Sequence, residues 1–117
     1  LVSLDWELAV KRANYNEHAA RELLSEFVIM LPTMILEIQA YQEMSKFNSV
    51  HDNVHNLHGA CCYTGVPRLQ RLCFEIETQF KTDRLDGLEL NLDALAEEAN
   101  LIVKAAQECI NLNQSID

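Results

Sequence analysis

The sequence predicts an all-α fold, an antiparallel up-and-down four-helix bundle with a short additional N-terminal helix. Three observations carry this expectation. Apolar residues recur at alternating steps of three and four, the helical period, and nowhere with the period of two that marks strands. Only 3 glycines and 2 prolines occur in 117 residues, against average usage of roughly 7% and 5%, so loops and tight turns are few. Gly65 with Pro67, and Asp83, Asp86 and Gly87, fall between the apolar stripes, as turn signals must if each stripe is one helix.

Taken in order, a short helix from about Asp5 to Ala13 carries Trp6, Leu8 and Val10 and is expected to lie across one end of the bundle. Asn14, with Glu17 three residues on, offers an N-cap for the next segment. That long segment carries Ala20, Leu24, Phe27, Leu31, Met34, Ile38 and Tyr41 on one stripe, and Pro32 should kink or divide it. Ser49 with Asp52 offers the next N-cap, ahead of the stripe Val50, Val54, Leu57 and Cys61. Gly65 in a left-handed conformation and Pro67 in a first turn would make Thr64 to Pro67 a sharp helix-to-helix connection. The fourth segment carries Leu69, Leu72 or Cys73, Ile76 and Phe80. Lys81 to Leu90 is a second connection, and Asn91 caps a last helix with Leu92, Leu95, Ala99, Ile102, Ala106 and Cys109. Short connections make neighbouring helices antiparallel. The whole of residues 1–117 reads as one domain, large enough for its own core.

Composition narrows the function. Nine Lys and Arg against 18 Asp and Glu give a formal net charge of −9, which disfavours nucleic-acid binding and docking on anionic membranes. No apolar run approaches the roughly 18 to 20 residues of a membrane span. Cys61, Cys62, Cys73 and Cys109 read as reduced thiols of a cytosolic protein, with Cys61, Cys73 and Cys109 on apolar helix positions as small core hydrophobes. The chain opens at Leu1 without an initiator methionine, and is expected to be a piece of something longer. No Walker loop and no Gly-rich nucleotide lid is present.

One stretch carries chemistry. His51, His55, His58 and Cys62 are spaced +4, +3 and +4 and share one stripe of a helix, about 100° round from the core stripe, where the bundle meets water. Histidines at i and i+4 suit a metal, and His51-Asp52-Asn53-Val54-His55 shares that spacing with zinc-binding helices, but aspartate is shorter than the glutamate required there and no further ligand is indicated. Gly59 supports another reading. A helical side chain leans toward the N-terminus, so the residue at 59 would cover the side chain at 55. Glycine inside a helix costs about 1 kcal/mol relative to alanine, and an uncovered imidazole is an accessible nucleophile near neutral pH.

The run His55-Asn56-Leu57-His58-Gly59-Ala60, closed by Gly65, resembles the core motif of histidine-containing phosphotransfer (HPt) domains. That motif is an accepting histidine, an apolar residue at +2, a basic residue at +3 and glycine at +4. The longer string HGACCYTGVPRLQ is most similar to the C-terminal HPt domain of BarA/GacS-type hybrid sensor histidine kinases. The resemblance implies that His55 is the phosphorylated residue and that His58, where the family most often has lysine, meets the phosphoryl oxygens. Gly59 would give access and Gly65 the following turn. It implies a docking surface that includes His51, Cys62, Arg68 and Arg71, with Tyr41 or Tyr63 nearby. His18 reads as a surface residue.

The implied activity is transfer without ATP. A receiver domain passes its aspartyl phosphoryl group to His55, and a second receiver, of a response regulator, takes it on. On this reading the domain holds no cofactor and no metal of its own, Mg²⁺ coming from the partner receiver. It touches neither nucleic acid nor membrane and is a monomer when isolated. It sits in the cytoplasmic C-terminal part of an inner-membrane sensor kinase. A helical interaction module without phosphotransfer, and a His-rich metal-binding bundle, are the competing readings.

Overall fold

The computed structural model describes the backbone of residues 1–116 and the side chains of residues 1–109. Among the described residues there are five helices: α1 (Trp6–Arg12), α2 (Glu17–Glu43), α3 (Phe47–Cys61), α4 (Pro67–Lys81) and α5 (Leu88–Ile116). Helix α2 packs on α3, α3 on α4, α4 on α5, and α5 returns to α2, while α1 packs on α2. This closed ring of neighbours is the predicted four-helix bundle with its extra leading helix.

The core is built from the predicted stripes. Leu24, Leu31, Ile38, Val50, Val54, Leu57, Cys61, Leu69, Cys73, Ile76, Leu95 and Ile102 have almost no exposure, and each fully buried leucine or isoleucine contributes roughly 1.5–3 kcal/mol. Ile35, not Met34, is the buried member of its turn, Met34 and Tyr41 packing at the margin. Cys109 is half-buried and the four cysteines are free thiols. The Cys73 thiol is pushed up, first by its contact with Cys61 and then by burial, and stays protonated.

Several boundaries differ from the sequence expectation, each for a local reason. Asn16, not Asn14, caps α2, its side chain accepting from the Ala19 N–H at 3.0 Å. Asn14 and Tyr15 instead take left-handed conformations in the α1–α2 turn, with φ of 57° and 62°. Helix α3 begins at Phe47, two residues before Ser49, with Lys46 at the cap and no side-chain capping bond. Helix α5 begins at Leu88, so Asn91 lies inside it and donates to Gln79 Oε1 at 2.8 Å. Pro32 does not divide α2, which runs through it as one helix. Helix α2 is also long and apolar enough, by length and composition, to cross a membrane. Its inward face is nevertheless part of the bundle core.

Gly65 is not left-handed. Its role is close approach: a Cβ there would collide with the Asp5 carbonyl oxygen and lie 2.9 Å from the Ala9 nitrogen. The Asp5 N–H donates to the Gly65 carbonyl at 2.8 Å, so the start of α1 rests directly on the α3–α4 turn. Arg12 reinforces the contact. Its Nη1 donates to the carbonyls of Cys61 (3.0 Å) and Thr64 (2.7 Å) and to Gln70 Oε1 (3.0 Å), adding a side-chain donor where the helical hydrogen-bond ladder of α3 ends. The short leading helix thereby fixes how α3 enters α4, and with it the register of the histidine face against α4.

Candidate functional site

His51, His55 and His58 emerge from α3 along the flank facing α4, and α4 answers with a glutamate that belongs to no sequence motif. Glu77 follows the buried Ile76, and its side chain is only 7% exposed. Its Oε2 lies 3.3 Å from His55 Nδ1 and its Oε1 lies 3.1 Å from His58 Nδ1. One carboxylate therefore spans both imidazoles, one oxygen to each. The signal was present in the pattern: position 77 is four residues after Cys73 and eight after Leu69, on the core stripe, where a glutamate requires partners.

The charge state of Glu77 decides the tautomers. Burial by itself would raise its carboxyl, but the hydrogen bonds from His55 and His58 outweigh burial and hold it below its ordinary value. At neutral pH Glu77 is thus a carboxylate, which accepts hydrogen bonds and donates none. Each Nδ1 must carry the proton and donate it, which leaves Nε2 of each neutral ring with a free lone pair. The two rings differ in exposure, with side chains 72% exposed at His55 and 23% at His58. His55 is the one a second molecule can reach.

Aromatic groups frame the pair. His51 stacks on Phe80, ring centroids 4.7 Å apart at 8°, and the exposed Phe74 meets His58 edge-on at 6.4 Å. Gly59 faces open space: a Cβ built there meets nothing within 4 Å. No contact among the described residues requires glycine at that position, and a side chain there would face open space. Cys62 is exposed and its Sγ donates to the His58 carbonyl at 3.6 Å. Tyr63 is exposed at the end of α3.

The two arginines are placed differently. Arg71 pairs with Glu75 on its own helix at 3.2 Å. Arg68 binds the N-terminal segment, donating to the Leu1 carbonyl at 2.6 Å and to Ser3 Oγ at 3.4 Å, and lies 3.4 Å from the buried Glu98. It works as an anchor for residues 1–3 and is not beside His55. His18 is exposed on α2 and pairs with Glu22 at 3.1 Å. Among the described residues no group of three or more His, Cys, Asp and Glu is arranged to hold a metal ion, and the Nδ1 atoms of His55 and His58 already face the Glu77 carboxylate.

Comparison with known proteins agrees on one family. The family model described as Hpt domain matches residues 22–110. The signal transduction histidine-protein kinase BarA of Escherichia coli (strain K12) is 30% identical over 109 residues, which is 92% of this chain and 12% of that protein. The sensor histidine kinase GacS of Pseudomonas protegens is 30% identical over 102 residues, 82% of this chain and 11% of that protein. The chain thus spans about 12% of the length of such relatives. Among solved structures, the HPT domain of a sensor hybrid histidine kinase from Shewanella superposes with a TM-score of 0.86 at 32% identity, covering 94% of this chain and 95% of that one. The histidine-containing phosphotransfer protein HptB of Pseudomonas aeruginosa shares the fold, with a TM-score of 0.78 at 16% identity over 91% of this chain and 92% of that one.

Proposed function

The chain belongs to the Hpt domain family, and from that premise we propose that it is a histidine phosphotransfer intermediate of a His–Asp phosphorelay, with His55 as the residue that carries the phosphoryl group. The observation that supports this reading most is the pairing of an exposed His55 with a buried carboxylate on its Nδ1.

The donor is a receiver domain bearing an aspartyl phosphate. As that domain docks, the lone pair of His55 Nε2 attacks phosphorus, the bond between phosphorus and the aspartate oxygen breaks, and the aspartate leaves as a carboxylate. Mg²⁺ held by the partner receiver would supply charge that neutralises the transferring group. The imidazole becomes cationic as the N–P bond forms, and Glu77 lies against its Nδ1–H to stabilise that charge. Glu77 takes no proton; it holds one tautomer and one ring orientation, which is the positioning part of the rate. His58 presents its ring one turn along, and its conversion to the cation would bring positive charge toward the phosphoryl oxygens where the family more often has lysine. The open surface at Gly59 lets the receiver approach. Reversal of the same steps hands the phosphoryl group to a second receiver, that of a response regulator.

The chain itself supplies neither nucleotide site nor metal on this reading, and it acts as a monomer between its two receivers. By analogy with the sensor kinases it resembles, it occupies the cytoplasmic part of a membrane-anchored hybrid kinase. The test is incubation with a phosphorylated receiver domain while following acid-labile, base-stable label. Wild-type chain should take up label and His55→Gln should not; label persisting in His55→Gln, or never appearing on the wild type, overturns the assignment.

A further inference from the structure

A second recognition feature lies at the opposite end of the bundle from α1. The end of α2, the start of α3, the α4–α5 connection and the start of α5 enclose an open groove of about 710 Å³. Its apolar part is Phe47 and Leu85, both large and exposed, with the buried Leu88 beneath them. Its rim carries three carboxylates, Glu43, Glu89 and Asp93. Among the described residues none of the three forms an ion pair. Neither Lys46, next to Phe47, nor Arg84, next to Leu85, lines the groove.

The charge arrangement is unfavourable at the α2 end of the groove, while Glu89 lies in the first turn of α5, where the helix dipole favours it. A helix C-terminus carries partial negative charge and is stabilised by basic residues in its last turn; α2 has none there and ends on Glu43. An exposed apolar floor under an acidic rim that makes no ion pair among the described residues is complementary to a segment with the opposite pattern, large apolar side chains flanked by lysine or arginine. A second copy of this chain fits poorly, because its net charge is −9 and like charges would meet. We infer that this groove docks a basic amphipathic segment of a partner protein, its apolar side chains on Phe47, Leu85 and Leu88 and its cations on Glu43, Glu89 and Asp93.

Phe47 precedes His55 by eight residues on α3, about 12 Å at 1.5 Å per residue, so a segment bound here leaves His55 uncovered. Such a tether would raise the local concentration of whatever partner carries it. Docking in this groove is independent of the transfer chemistry at His55, and either can fail without the other.

The probe is a short amphipathic peptide of leucine and lysine, with its leucine–glutamate counterpart as control, titrated into ¹⁵N-labelled chain. Saturable shifts should centre on Gln39, Gln42, Phe47, Leu85 and Leu88. The triple variant Glu43→Gln, Glu89→Gln, Asp93→Asn should weaken binding about tenfold, whereas Glu7→Gln, Glu97→Gln, Glu108→Gln, an equal charge change elsewhere, should weaken it less than about twofold. Both variants should still accept label on His55. Absence of saturable shifts, equal weakening by the two triples, equal binding of the glutamate peptide, or groove shifts that follow protein concentration without peptide would overturn the proposal, the last by assigning the groove to a second copy.

Discussion

Replacing Glu77 by glutamine keeps the shape of the side chain and removes its charge. The carboxylate accepts from His55 at 3.3 Å and His58 at 3.1 Å; the amide has one acceptor oxygen, so only one ring can go on donating Nδ1–H and the other must change tautomer or lose its contact. Hydrogen bonds to a charged group contribute about 1.5–3 kcal/mol. The His55 bond is discounted because that ring is 72% exposed and solvent screens it. A loss of about 1–2 kcal/mol opposite the developing imidazolium slows transfer roughly 5- to 30-fold. Rapid-quench transfer from a phosphorylated receiver measures the rate, and long-range ¹H–¹⁵N spectra of the rings measure the tautomers. Wild-type His55 should show its proton on Nδ1, and Glu77→Gln should show a mixture. A rate within twofold of wild type, or a wild-type His55 protonated on Nε2, would refute the reasoning. Stability gives a second readout. The folded carboxyl titrates below its ordinary value of 4.5, so its contribution is present above that pH and is lost as pH falls through the lowered folded value. Wild type should therefore exceed Glu77→Gln in stability at neutral pH, with the two curves converging in acid.

Other substitutions separate stability from access. Gly59→Ala meets nothing within 4 Å, so it should stabilise the chain by about 1 kcal/mol in chemical denaturation while slowing transfer from a receiver; unchanged transfer would remove Gly59 from the docking argument. Gly65→Ala drives a Cβ into the Asp5 backbone and should destabilise by about 1–3 kcal/mol, a loss read from the same denaturation curves. Arg12→Ala removes three hydrogen bonds to the α3–α4 turn and Gln70 and should destabilise by about 2–4 kcal/mol, with hydrogen exchange rising first in α1 and residues 62–66.

The bundle was legible because helical periodicity is a local signal: Val50, Val54, Leu57 and Cys61 repeat at the helical step and all four are buried. His55 and Gly59 were legible because their meaning lies within one turn of one helix. Glu77 was not, since a glutamate among Glu75 and Thr78 on α4 looks like a solvated residue until α3 is packed against it; only its place on the Leu69–Cys73 stripe hinted otherwise. Gly65 and Arg12 were misread or missed for the same reason. Both act across the chain, on Asp5 and on the end of α3, and no local pattern encodes a contact between residues 49 to 60 positions apart. The caps at Asn16 and Lys46 show the opposite limit, where several nearby residues can cap and turn geometry chooses among them.

In the proposed transfer a buried carboxylate holds Nδ1 of His55 so that Nε2 is the reacting atom. The most direct measurement is the ³¹P-coupled spectrum of the phosphorylated chain with its imidazole nitrogens labelled. Phosphorus should be bonded to Nε2 of His55, with a proton retained on Nδ1. Phosphorus on Nδ1 of His55, or on a ring of His51 or His58, would contradict it.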